Sequence, residues 1–241
     1  MPEKGAIGQL IELRKLFPNE KVVLSGNRLD IPGNSEFFYQ PIIRNTQTSG
    51  SFFEVLNLKK VVTFLRLAIS REKSISKRGT FVPIVPNESW VYGGALIPIK
   101  AVREAPLPDS SLFLYGDDME YSWGIKKLGY SSYVCASPKI HDVDLTFGGS
   151  HIFGIFDPKT IQLFKIYYRI RNMVLLSRRH SRQSKPILLI NILLWIAGLC
   201  ILGGIKYGVT QLFFKRVKLI IQAVYGGYYT EYVSPKEAQL P

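Results

Sequence analysis

Two adjacent carboxylates, Asp117 and Asp118, stand where an apolar segment turns into a helix, in SLFLYGDDMEYSWGIKKLGY from Ser111 to Tyr130. Such a terminus gathers anionic groups at the positive end of the helix. Successive helical residues point about 100° apart, so the two side chains cannot both face one substrate. Asp117 with Glu120 three residues on makes a capping box of the Asp-x-x-Glu type. That leaves Asp118, on the side of Tyr121, Ser122 and Ile125, as the candidate general base. The plainer alternative is that both acids cap the helix and do no chemistry.

The elements that must position this pair alternate between α and β. The spacing of Ile7, Leu10, Ile11 and Leu13 predicts a helix from Pro2 to Phe17, followed by a buried strand over Lys21 to Ser25. A Gly- and Asn-rich stretch from Gly26 to Asn45 reads as loop. Phe53 to Ile69 suits helix or strand equally. Strands are expected over Thr80 to Val85 and Val91 to Ile99. A helix from Asp117 to Leu128, stopped by Gly129, leads to a strand from Ser131 to Cys135. An amphipathic helix from Pro158 to about His180 then interleaves aromatic and basic residues.

Of the formal charge of +13, +10 is carried by the C-terminal third. Residues 1–156 hold 18 Lys and Arg against 15 Asp and Glu, whereas residues 157–241 hold 13 against 3. The same third contains the uncharged run Ile187 to Ile205, interrupted among polar side chains only by Asn191. As a helix it is roughly 28 Å long, close to the about 30 Å of a hydrocarbon core. Arg178, Arg179, Arg182 and Lys185 precede it, and Lys206, Lys215, Arg216 and Lys218 follow, a distribution that suits anionic headgroups. The helix either spans the membrane or re-enters it; the soluble alternative is a buried core helix. From Tyr207 to Tyr229 an apolar stripe of Leu212, Phe213, Val217, Ile220, Ile221 and Val224 lies opposite Lys215, Arg216 and Lys218, as in an interfacial helix. Cys135 and Cys200 offer neither metal spacing nor a disulfide framework, which points to a reducing, cytoplasmic setting. The opening Met1 to Phe17 lacks the pattern of a signal peptide. A nucleic-acid partner is not expected, because the basic excess sits beside the apolar run.

The segment FLYGDDMEYSWGIKKLGY resembles the acceptor-side motif of inverting family 2 glycosyltransferases, where an aromatic-rich strand, an acidic pair, a helix and a Gly-Tyr turn follow in that order. The resemblance implies a partial GT-A (Rossmann-like) α/β fold with a mixed sheet, followed by a membrane-associated helical tail. It places the acceptor-deprotonating base at Asp118. VYGGALIPIKAV, from Val91 to Val102, is similar to the family's Gly-Gly strand, so Gly93 and Gly94 would let substrate approach the backbone. Trp90 would stack on a sugar face or sit in the core or rim. SSYVCASPKIHDVD resembles the loop whose histidine completes a Mn²⁺ or Mg²⁺ site, here His141. KIYYRIRN resembles the Tyr-Tyr-x-x-Arg-Asn helix near the bilayer, where Arg169 and Arg171 would meet lipid headgroups or form a solvated basic face.

The resemblance runs to about Tyr229, but the family's nucleotide-holding strand and Asp-x-Asp motif have no counterpart, and MPEKGAIGQLIEL is similar to the helix that follows that motif. Gly124 stands where the family often has arginine. The implied organisation is an acceptor-side part over 1–156, a basic linking helix over 157–185, a transmembrane or re-entrant helix over 186–206 and an interfacial tail over 207–241. The implied activity is inverting transfer from a nucleotide-sugar donor to a lipid-linked or glycan acceptor, with the catalytic part cytoplasmic. The expectation is a chain inactive alone, whose other half is missing through truncation, a mis-set start or a split gene. The rival is a non-catalytic membrane module that binds a partner or a polyprenyl headgroup.

Overall fold

The computed structural model describes residues 1–18, 20–28, 38–40, 52–53, 80–141, 155–158 and 163–229. Most of the expected loop up to Asn45 and nearly all of Phe53 to Ile69 lie outside them. The chain divides into two compact units that interleave in sequence. One comprises Met1–Thr46, Ile75–Asp109 and Asp118–Thr146, the other Gln47–Ser74, Ser110–Asp117 and Phe147–Pro241.

The first unit is mixed α/β. It holds α1 (Ala6–Arg14), β1 (Val22–Arg28), β2 (Tyr39–Gln40), β3 (Thr80–Phe81), β4 (Ile84–Pro86), β5 (Ala95–Leu96), α2 (Ile99–Glu104), all of α3 (Asp117–Lys127) but its first residue, and β6 (Ser131–Ile140). A four-stranded sheet runs in the order β4-β6-β1-β5, and β2 pairs with β3 apart from it. β6 is parallel to β1 and antiparallel to β4, while β5 is antiparallel to β1. Helices cover both faces of β1, so its residues are buried continuously from Val22 to Asn27. Alternation sends Val22 and Leu24 toward Leu10 of α1 and Cys135, and Val23 toward Trp90, Ala101 of α2 and Ile125 of α3.

Several boundaries differ from expectation: β1 runs on to Arg28, the expected strand over Thr80 to Val85 is split between β3 and β4, and three further differences have clear causes. The first helix starts at Ala6, because Pro2 forms a β-bridge with Ile140 and the Glu3 N–H donates to the Lys139 carbonyl at 3.0 Å. β6 continues five residues past Cys135. Its register against β1 jumps from Gly26↔Cys135 to Asn27↔Lys139, and the bulge absorbs Pro138, which lacks an N–H to pair. The expected strand over Val91 to Ile99 shrinks to Ala95–Leu96, because Gly93 and Gly94 form a turn and α2 begins at Ile99.

Cys135 is fully buried in this sheet, and burial pushes its thiol from an ordinary value near 9.0 to about 11. The reactive thiolate is then about a hundredfold scarcer at neutral pH. In a Cys200→Ala background, the native chain is expected to react with a soluble thiol reagent at least about a hundredfold more slowly than the unfolded chain, because the buried sulfur is also out of the reagent's reach. Equal rates would contradict this burial. Because the folded state favours the neutral thiol, its stabilising contribution is complete below pH 9.0 and is lost as pH climbs toward about 11.

Among the described residues of the second unit the long elements are three helices, α4 (Leu163–His180), α5 (Lys185–Tyr207) and α6 (Gln211–Tyr229). α6 crosses α4 closely at Gly226 and Gly227; a Cβ on Gly227 would stand 2.3 Å from the Arg171 carbonyl oxygen. The buried face of α6 runs through Arg216, Leu219, Ile220 and Ala223, so Arg216 is turned inward, whereas Ile221 is exposed along with Phe214 and Tyr225. α5 is long and apolar enough to span a membrane, and Ile187, Ile190, Leu193, Ile201 and Ile205 are exposed along it. Asn191, its polar interruption, is buried and donates from Nδ2 to Gln183 Oε1 at 3.0 Å. Gln183 in turn donates to the Phe53 carbonyl at 2.9 Å.

Candidate functional site

The acidic pair sits at the start of α3, whose first residue is Asp117 itself. In the first turn the Met119 N–H donates to Asp118 Oδ1 at 2.7 Å, which fixes the Asp118 carboxylate at the helix terminus. Met119 also lines a cavity of about 250 Å³ that belongs wholly to the first unit. Ser25, Gly26, Asn27 and Arg28 of β1, with Trp90 and Gly93, form much of its wall.

The two glycines have different duties. Gly94 has φ +89°, and a Cβ there would approach Ile140 Cδ1 to 2.4 Å, so its smallness serves packing against β6. Around Gly93 a Cβ would meet nothing within 4 Å, and this residue faces the cavity. Gly94→Ala is therefore expected to destabilise the fold by more than about 1 kcal/mol. Gly93→Ala should stay within about 0.5 kcal/mol. Thermal unfolding of the two variants checks this, and equal losses would contradict the assignment.

Trp90 is buried and contacts Tyr92 and Tyr121 edge-on, with centroids 6.3 and 5.9 Å away. It is a core residue that also contributes to the cavity wall. His141 lies away from that wall, where its ring Nε2 is 3.0 Å from Glu3 Oε1 and both side chains are half exposed. These two groups could share a cation but do not complete a site. Among the described residues no three His, Cys, Asp or Glu side chains converge as metal ligands.

No family model, curated protein or solved structure matches the chain. Its function must be argued from the geometry.

In the second unit, the Tyr-Tyr-x-x-Arg-Asn segment of α4 holds the loop that leads to the acids. Arg171, completely buried, donates from Nη1 to the Ser111 carbonyl at 2.5 Å and to Asn172 Oδ1 at 2.8 Å. Asn172 Nδ2 donates to the carbonyls of Leu114 and Tyr115 at 2.6 and 2.7 Å. Tyr168 packs on Phe113, with ring centroids 5.2 Å apart. Gly116, at φ +89°, lies where a Cβ would come within 2.8 Å of Leu176 Cδ1. Tyr115 has φ +67°, a left-handed conformation costly for a side-chain-bearing residue. The Asn172 bonds on both sides of this residue hold that conformation.

Arg171 is thus withdrawn from any surface, and a headgroup could reach it only by breaking this latch. Arg169 is half-buried; burial pulls its guanidinium below the ordinary value, with Tyr115 acting in the opposite direction. The positioning roles of Arg171 and Asn172, and the placement of Asn27 on the cavity wall, were not legible from residue spacing.

Proposed function

We propose that this chain is the acceptor-side part of a membrane-bound, inverting family 2 glycosyltransferase in which Asp118 is the general base. Asp118 takes the proton of an acceptor hydroxyl as its oxygen bonds to the anomeric carbon of a nucleotide sugar. The bond from that carbon to the nucleotide diphosphate breaks, and the diphosphate leaves. The observation that carries this reading is that Met119, next to Asp118, lines a cavity that also presents Trp90, Gly93 and four uncharged polar side chains, Ser25, Asn27, Asn87 and Ser89. With the cationic Arg28 also on it, such a wall suits a hydroxyl-bearing ring, neutral or anionic.

The described residues assemble no three-ligand metal group. As the resemblance implies, this reading expects Mn²⁺ or Mg²⁺ ligands and nucleotide-binding residues in a further segment, contiguous or separately encoded. α5 anchors the enzyme by spanning or re-entering the bilayer, α6 lies at the interface, and the first unit works on the cytoplasmic side upon a lipid-linked or glycan acceptor. The rival is a non-catalytic membrane module that binds a partner or a polyprenyl headgroup through its basic tail.

The test is a transfer assay in lipid vesicles with a panel of nucleotide sugars and Mn²⁺. The 241-residue chain alone is expected to be inactive, and the chain supplied with its donor-binding segment to be active. Transfer by the chain alone would overturn the division of labour. Failure of every combination would favour the binding module.

A further inference from the structure

One face of α5 is committed to protein from end to end. Leu188 and Ile192 join a core cluster with Val174 of α4, and Leu199 joins another with Ile166 and Ile170 of α4 and Ile220 of α6. Near the far end a Cβ on Gly203 would stand 2.3 Å from the ring of Phe156, so no lipid chain fits there. α4 itself is nowhere exposed from Lys165 to His180, and it carries the fully buried Arg171.

Among the described residues the opposite face of α5 is uncovered. Ile187, Ile190, Leu194, Ile201 and Ile205 are exposed on it at helical spacing, over roughly 27 Å. An apolar stripe of that length marks a surface that meets a second apolar phase. The charges around it say which. Arg182 and Lys185 are exposed at one end and Lys206 at the other, Lys215 and Lys218 are exposed on α6, and residues 163–229 contain no Asp or Glu. Such a frame attracts an anionic headgroup layer and repels a second copy of the same chain.

The register of α6 sets the depth. After the turn at Gly208, α6 runs back along α5: a Cβ on Gly204 would meet the Phe213 ring at 3.6 Å, and Val224 and Tyr228 pack on the cluster of Leu188 and Ile192. Five residues on from Phe213, Lys218 is level with about Leu199, within roughly a turn of the middle of the apolar run. Were α5 to span, the exposed Lys218 would lie near the bilayer centre, where a cation is costliest.

We propose that α5 does not cross the bilayer, and that the second unit rests on one anionic leaflet with the outer face of α5 sunk along its length into the acyl chains. Both ends of α5 then lie on the same side, and Lys215 and Lys218 reach phosphate-bearing headgroups. The inference rests on the membrane attachment proposed above, but not on the transfer chemistry.

The test of sidedness uses the full chain, Cys200→Ala, carrying one added cysteine at either end of α5, Arg182→Cys or Val209→Cys. Membrane vesicles of one orientation from the producing cells are treated with an impermeant maleimide before and after detergent, with the parent chain as blank. The two positions are expected to behave alike, both labelled or both protected until detergent is added. One labelled and the other protected would show a spanning helix and overturn the proposal. Recovery of the chain as a soluble oligomer, with the stripe covered by a second copy, would overturn it too.

The test of the surface floats the purified full chain with phosphatidylcholine vesicles with and without phosphatidylserine. Phosphatidylserine is expected to tighten binding by about tenfold or more, and Lys215→Gln with Lys218→Gln to remove most of that gain. Ile201→Ser with Ile205→Ser should weaken binding at least about tenfold. All four side chains are exposed, so the fold is not at stake. Unchanged binding by either pair would overturn the placement. Both ends on one side and lipid binding of this kind, in a protein that never transfers sugar, would keep this inference and discard the transferase.

Discussion

Asp118→Asn in the transfer-competent enzyme is expected to lower kcat by about 10²–10⁴-fold, with the acceptor KM unchanged within about threefold. Asparagine preserves the size of the side chain and can still accept the Met119 N–H bond that fixes Asp118 at the helix terminus. What it cannot do is take a proton. The expected loss therefore falls on the chemical step and not on folding or acceptor binding. Asp117→Asn removes a charge from the same terminus, worth about 0.3–1 kcal/mol, and should cost less than about tenfold in kcat. Steady-state kinetics on both variants separates the roles. Equal losses for the two acids would return the pair to the simpler reading of a charged helix terminus.

Arg171→Ala is expected to destabilise the second unit by about 3–5 kcal/mol, from a cavity and from orphaned carbonyl groups together. The size follows from placement. Arg171 is the bulkiest of the fully buried side chains, and one of its bonds holds the Ser111 carbonyl at the head of the loop that runs into α3. Relief of guanidinium desolvation offsets part of the loss, but the vacated volume and unpaired acceptors outweigh it. Arg171→Lys should recover less than half, because a single ammonium does not reproduce the guanidinium fork. Thermal unfolding in detergent, with hydrogen exchange over residues 111–117, measures both effects. A neutral Arg171→Ala with unchanged protection of that loop would contradict the latch.

The acid-bearing helix was legible in the sequence because glycine punctuates it: Gly116 and Gly129 bracket α3, and the expected end differs by one residue. Coarse fold class was legible for a similar reason, since apolar period and turn residues alternate through the first unit. Long-range pairing was not. Pro138 reads locally as the end of a strand, yet β1 supplies a partner register that carries β6 past it in a bulge. The Gly93-Gly94 pair reads as a strand with close backbone approach, but the turn it forms divides the glycines between cavity and core.

Charge proved the least transferable signal. Arg171 and Arg216 read as surface groups by residue type, and both are turned inward. For Arg171 the carbonyl that receives it, that of Ser111, comes from a segment 60 residues away. Asn27 was hidden for the opposite reason: Gly26 and the polar residues after it suggested a loop, whereas the buried pattern of β1 continues two residues beyond Ser25.

The most direct test of the central claim is the anomeric configuration of the product. The chain, supplied with its donor-binding segment in lipid vesicles, is incubated with a nucleotide sugar and acceptor, and the new glycosidic linkage is assigned by NMR. The account predicts a linkage inverted relative to the donor, formed with Asp118 and nearly absent with Asp118→Asn. A retained configuration, or inverted product formed equally well without the Asp118 carboxylate, would contradict it.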